Sequence, residues 1–178
     1  CALPILNFFK NKRINIFDIG TGSGCILLSI LKEINFARGT GIDISAKAIK
    51  IAKVNSVRLN LSHRAKFKTF DVSKFNIGKY DLIVSNPPYI PSKDIKNLSK
   101  DIINYEPKTA LDGGLDGLDL IKKVIYKSSH LLRRNGLLAI EIGFNQYKRV
   151  SSILRHYRFR EISREYDNNR NVRCIIST

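Results

Sequence analysis

Apolar positions fall in short β-branched runs, and between them lie stretches in which they recur every three or four residues. The run INIFDI (14–19) predicts a buried strand, GTGSG (20–24) a tight turn, and CILLSILKE (25–33) an apolar helix. Residues 39–42 predict a second strand. Ser45 is placed to cap a helix reaching about Leu59, with Ala48, Ile51, Ala52 and Leu59 on one stripe. Strands are predicted at 66–70, 80–84, 136–142, 159–165 and 171–176, and further helices at 118–132 and 146–156. Strands alternating with helices imply βαβ units, hence a doubly wound α/β domain with helices on both faces of a mostly parallel sheet. The polar segment 90–116 breaks the rhythm. It holds Pro91, Pro107 and the pair Gly113–Gly114, and connections this long are usually functional or disordered. It is expected to face a substrate.

Composition narrows the class. The chain has 178 residues and is 43% hydrophobic and 26% charged, the balance of an ordinary folded domain. A single domain of that size buries roughly 70% of its unfolded surface, so no disulfide or metal staple is required. Cys1, Cys25 and Cys174 are scattered with no CxxC pair, which argues against structural zinc and for a reducing, cytoplasmic setting. No run approaches a membrane span. There is no Met, even at position 1, so the chain is expected to lack an upstream part of its protein. Lys plus Arg number 31 against 15 Asp plus Glu, a net charge of +16. That excess suits attraction to RNA or the ribosome, and it equally suits the Lys-rich composition that AT-rich codons impose.

Candidate chemistry gathers at the strand exits. In open α/β sheets, ligands bind beyond the carboxyl ends of the strands. Here the five successive exits carry Asp18, Asp43, Asp71, Asn86 and Glu141. Any one could cap a turn; five in register describe one polar rim. The glycines of GTGSG allow backbone to approach a ligand, and Asp43 falls where an acid would hold a ribose diol. NAD, FAD and S-adenosylmethionine all remain open at that point; the GxGxG form and the acidic rim favour the cationic sulfonium. The string Ser85-Asn86-Pro87-Pro88-Tyr89 is more specific. The Asn86 side chain and the Pro87 carbonyl can accept both hydrogens of a planar NH₂ group, with Tyr89 packing over it. The plain alternative is a proline-stiffened turn ending a strand.

These strings resemble the class I S-adenosylmethionine-dependent methyltransferases that act on planar-group nitrogens. FDIGTGSGCILLSI, GIDIS, SNPPYIP, YEPKTALDGGLDGLDLI and LLAIEIGFNQ, spread over residues 15–143, are similar to the HemK/PrmC family. Those enzymes methylate the glutamine of the Gly-Gly-Gln loop in peptide chain release factors. The resemblance implies a Rossmann-like fold with seven strands and no metal. It implies a cofactor site at Asp18, Gly20, Thr21, Gly22, Gly24, Asp43, Ile44, Asp71, Val72 and Asn86, taking S-adenosylmethionine and leaving S-adenosylhomocysteine. It places the target amide at Asn86, Pro87, Pro88 and Tyr89, with Asn86, Pro87 and Tyr89 catalytic. Glu106 of YEP would wall the substrate site, or else pair with a surface Lys. Residues 1–178 would form one monomeric catalytic domain, without the helical N-terminal domain by which the family docks release factors. DNNRN at 167–171 departs from the Gly- and Asp-containing loop expected there. The rival readings are an adenine-N6 methyltransferase on DNA or RNA and a glutamine methyltransferase of a ribosomal protein. A non-catalytic nucleic-acid-binding module and a nicotinamide oxidoreductase fit the motifs less well.

Overall fold

The buried runs and the intervening amphipathic stretches assemble, in a computed structural model, into a single sheet flanked by helices. The structure describes residues 2–9, 12–99, 101 and 107–178. In chain order the elements are α1 (Ala2–Phe9), β1 (Asn15–Ile19), α2 (Cys25–Glu33), β2 (Arg38–Asp43), α3 (Ala46–Arg58), β3 (Ala65–Thr69) and β4 (Tyr80–Ser85). There follow α4 (Lys108–Leu111), α5 (Asp119–Leu131), β5 (Leu132–Glu141), α6 (Tyr147–His156), β6 (Glu161–Tyr166) and β7 (Val172–Ser177). The strand order is β3-β2-β1-β4-β5-β7-β6. β1 to β5 run parallel, and β7 inserts antiparallel to both β5 and β6.

The sheet is buried on both faces, so successive strand residues enter different cores. Ile16, Leu82, Val84, Ala139 and Ile176 pack with the apolar faces of α1, α2 and α3. Phe17, Ile83, Leu138, Ile140 and Ile175 pack with α5 and α6 on the other side. Phe17 stacks between Phe75 and Tyr80, at ring-centroid distances of 4.6 and 4.7 Å.

One reading of the sequence needs correction, and one element was not foreseen. The α3 stripe is shifted: Ile49, Ala52 and Ser56 are buried, whereas Ile51 and Leu59 are 44% and 48% exposed. The Ser45 hydroxyl accepts from the Ala48 amide, as expected, and packing of Ile49 and Ala52 against β3 turns Ile51 outward. Helix α1 is the unforeseen element. It has the short apolar sequence ALPILNFF and buries Ile5 and Phe9 against α2. Its proline falls in the first turn, where a missing N–H has no helical partner to lose.

Candidate functional site

All parallel strands end on the same side, which brings the predicted rim together. β1 ends after Asp18, β2 at Asp43, β4 immediately before Asn86 and β5 at Glu141; Asp71 lies two residues past β3. The loop after β1 is built on left-handed glycines, with φ of 70° at Gly20, 56° at Gly22 and 81° at Gly24. Side chains at Gly20 and Gly22 would project into open space, so there the backbone conformation alone requires glycine. Gly24 differs, because a Cβ would crowd Phe67, Ala52 and Leu28 at 3.0–3.2 Å. Its smallness serves the packing of α2 on α3 and β3.

Asp43 organises this loop. One carboxylate oxygen accepts the Gly22 N–H at 2.9 Å and the other the Ser45 N–H at 2.8 Å. A carboxylate has about four lone-pair sites, so each oxygen keeps room for a hydroxyl donor. Next to it Ile44 is 63% exposed, an apolar surface at the rim. Asp71 is exposed and caps a 3-10 turn (Val72–Lys74), accepting from the Ser73 amide at 2.8 Å; that bond holds its carboxyl below the usual range. Val72 is buried beneath it.

Asp18 is the unusual group. It is 1% exposed, and the Thr21 hydroxyl donates to one oxygen at 2.6 Å. The other oxygen has no partner among the described residues. Burial, aided by the nearby Asp43 charge, pushes this carboxyl up to about 7 against the pull of the Thr21 bond. A buried, half-satisfied acid beside open Gly-loop space fits a ligand bearing a positive centre.

The second half of the site follows β4. The Ser85 hydroxyl donates to the Ile19 carbonyl at 2.7 Å, tying the end of β4 to that of β1. Asn86 is exposed, and its amide makes no hydrogen bond among the described residues. Pro87 is buried, with Pro88 and Tyr89 half-buried. The Gly-rich stretch after α4 wraps this turn. The Gly113 amide donates to the Ile90 carbonyl at 2.8 Å, and the Ser92 amide to the Gly114 carbonyl at 2.9 Å. Cβ atoms at Gly113 and Gly117 would strike the Pro88 and Tyr89 carbonyls, so only glycine permits this approach. Residues 113–117 thus fold back onto the Asn-Pro-Pro-Tyr turn. Glu106 lies outside the described residues.

Two supporting residues escaped the reading of the sequence. Gln146, 4% exposed, accepts the Gly143 amide at 2.8 Å and donates to the Tyr89 and Gly117 carbonyls at 2.9 and 3.1 Å. It ties the end of β5 to both loops. Arg173 of β7 donates to the Tyr89 hydroxyl at 2.7 Å, lies 5.1 Å from the ring centroid and sits 3.6 Å from Glu141. Burial raises the Glu141 carboxyl, and Arg173 opposes that rise. The only local signal was the Gln that follows the β5 exit. No group of three or more His, Cys, Asp or Glu suited to a metal exists among the described residues.

Comparison with known proteins settles the family. The model of the methyltransferase small domain matches residues 3–116. The chain belongs to that family. A release factor glutamine methyltransferase of Rhodospirillum rubrum is 45% identical over 139 residues, covering 78% of this chain and 43% of the relative. The chain spans about half the length of the curated relatives it matches. Among solved structures, a ribosomal protein L11 methylase from Lactobacillus delbrueckii subsp. bulgaricus aligns with TM-score 0.72 at 18% identity, over 99% of this chain and 76% of that one. Magnesium protoporphyrin IX methyltransferase from Synechocystis, solved with bound S-adenosylmethionine, aligns with TM-score 0.69 at 16% identity, over 99% and 74%. The expected resemblance to the HemK/PrmC enzymes and the Rossmann-like class I fold are both borne out.

Proposed function

We propose that the chain is the catalytic part of an S-adenosylmethionine-dependent methyltransferase, which methylates the side-chain amide nitrogen of the Gly-Gly-Gln glutamine in peptide chain release factors. The observation that carries the reading is the exposed Asn86 amide, without a hydrogen bond among the described residues, followed by Pro87 at the β4 exit beside the Gly loop. The names of the curated relatives supply the substrate.

In this reading Gly20, Thr21, Gly22 and Gly24 shape the cofactor cleft, with the free lone pairs of Asp43 holding the ribose hydroxyls. Ile44, Asp71 and Val72 would border the adenine, and Asp18 would balance positive charge on the amino-acid part. The cofactor supplies an electrophilic methyl group on a sulfonium. The remaining work falls to the protein. The Asn86 side-chain oxygen and the Pro87 carbonyl accept the two amide hydrogens of the target, aim the nitrogen and favour its rehybridisation toward tetrahedral geometry. Tyr89 and Pro88 pack against the amide. Holding nitrogen and carbon in line contributes on the order of 7–11 kcal/mol. A proton leaves to water after the methyl–nitrogen bond forms, so no strong base is required. The setting would be the cytoplasm; no helix among the described residues is long and apolar enough to cross a membrane.

The test is transfer from labelled S-adenosylmethionine to a purified release factor, with peptide mass mapping. One added methyl on the Gly-Gly-Gln glutamine is the expected result. Label in nucleic acid instead would replace this reading with the adenine-N6 one.

A further inference from the structure

A cavity of about 560 Å³ opens at the opposite end of the sheet from the Asn-Pro-Pro-Tyr turn. Arg13 precedes β1, Phe36 and Arg38 stand at the entry of β2, His63 and Arg64 precede β3, and Arg133 lies near the start of β5. The parallel strands therefore gather four guanidinium groups and an imidazole at their amino ends, away from the candidate catalytic rim.

Two of the arginines are held rigidly. One Arg64 nitrogen donates to the carbonyls of Ile34, Asn35 and Ala37 at 3.0, 3.0 and 3.3 Å, which satisfies the chain leaving α2. One Arg133 nitrogen bonds both oxygens of Asp81 at 2.9 and 2.8 Å, and Asp81 also accepts the Asn15 amide. Arg13 and Arg38 are exposed, and no ion pair engages either among the described residues. Into this basic wall Phe36 presents a ring that is 58% exposed.

From this juxtaposition we infer that the amino-end cavity binds single-stranded nucleic acid. Arg13 and Arg38 take backbone phosphates beside the fixed charge of Arg64, whose bonds go to carbonyls, and Phe36 stacks on a base. Planar guanidinium forks suit phosphate oxygens, and an exposed ring beside them is the arrangement that single-strand binders use. The volume lies within the range of sites that enclose a nucleotide-sized ligand. One ring without an apolar face around it does not suit a membrane surface. The net charge of +16 attracts the strand from a distance, and the cavity gives that attraction a place to act.

The experiment is fluorescence anisotropy of the 178-residue protein with labelled oligouridylate and oligothymidylate of about 12 nucleotides, from about 50 to 200 mM salt. Arg13→Ser with Arg38→Ser should lower the slope of log affinity against log salt by about 1.4, at roughly 0.7 per phosphate contact. A charge-matched variant at the carboxyl end of the sheet, Lys123→Ser with Lys148→Ser, early in α5 and α6, should change it much less. Phe36→Ala should weaken binding about fivefold or more with little change in slope. Unchanged melting temperatures establish that the variants fold. Preference for the ribose or the deoxyribose strand identifies the source of the ligand. Equal slopes in the two double variants, or no effect of Phe36→Ala, would overturn the inference in favour of diffuse attraction. Phosphatidylserine vesicles are titrated in parallel, and loss in the variants confined to them would overturn it in favour of a membrane. Binding is read without cofactor or release factor, so its failure is distinguishable from failure of the methyl-transfer reading.

Discussion

Replacing Gln146 with Ala tests whether the Asn-Pro-Pro-Tyr turn is held by a side chain on another element. Three hydrogen bonds disappear together: those to the Gly143 amide and to the Tyr89 and Gly117 carbonyls. Each has a net worth of about 1 kcal/mol, and an unsatisfied buried partner costs about 1–3 kcal/mol. Partial refilling by water brings the expected loss to about 3 kcal/mol, or about 6–12 °C in melting temperature for a chain of this size. Because Tyr89 follows directly on Pro87 and Pro88, slackening its carbonyl should misplace the amide-accepting groups. Methyl transfer should then fall about tenfold or more, while cofactor affinity changes little. Calorimetry and single-turnover transfer read the two effects separately. Gln146→Glu sharpens the test: it preserves shape and the acceptor for Gly143, but turns an oxygen toward two carbonyls. It should be no better than Ala. A Glu variant with the stability and rate of the parent, or an Ala variant within about 0.5 kcal/mol of it, would refute the reasoning.

The other predictions address the rim and the last hairpin. Asn86→Ala should lower methyl transfer about a hundredfold or more and cofactor affinity far less; the reverse ranking would remove Asn86 from the target site. Asp43→Ala should weaken cofactor binding about tenfold and, by freeing the Gly22 and Ser45 amides, cost about 1–2 kcal/mol of stability; unchanged affinity by calorimetry would exclude the ribose role. The Asp18 carboxyl rises from its ordinary 3.8 to about 7 on folding, so its contribution is fully present below about pH 4 and is lost as pH climbs toward 7. That amounts to about 4 kcal/mol over roughly three units. Urea unfolding without cofactor should therefore show lower stability near pH 8 than near pH 5, and cofactor affinity should rise over the same interval. Equal pH dependence in Asp18→Asn would reassign the effect. Arg170 sits at φ 62°, so Arg170→Gly should stabilise by about 0.5–1 kcal/mol; a lowered melting temperature would show that its side chain is needed.

What the sequence revealed was what short-range pattern encodes. Apolar runs located the strands to within a few residues, and the exits of the parallel strands placed Asp18, Asp43, Asp71, Asn86 and Glu141 on one rim. The α3 stripe slipped because several apolar residues surround that helix. Packing against Ala65 and Phe67 of β3 decides that Ile49 rather than Ile51 is buried. Loop 167–171 looked like a departure for want of a glycine, yet Asp167 accepts the Asn169 and Asn171 amides and Arg170 itself takes the left-handed position. The turn survives with a strained residue where a glycine would be relaxed.

What stayed hidden is the support of the site, because it depends on pairs far apart in the chain. Gln146 meets Tyr89 from 57 residues away, and Arg173 meets it from 84. Neither contact has a local period or spacing that could announce it. Both arise from topology: β7 enters antiparallel beside β5, so Arg173 near its start meets Glu141 at the β5 exit. The same geometry explains why the two ends of the sheet can differ. Parallel strands deliver every exit to one side and every entry to the other, so Asp18, Asp43, Asp71 and Asn86 collect at one end and Arg13, Arg38 and Arg64 at the other. Part of the basic excess that composition left ambiguous, Arg13, Arg38 and Arg64, thus lies away from the candidate catalytic rim, where its removal can be tested without disturbing Asn86.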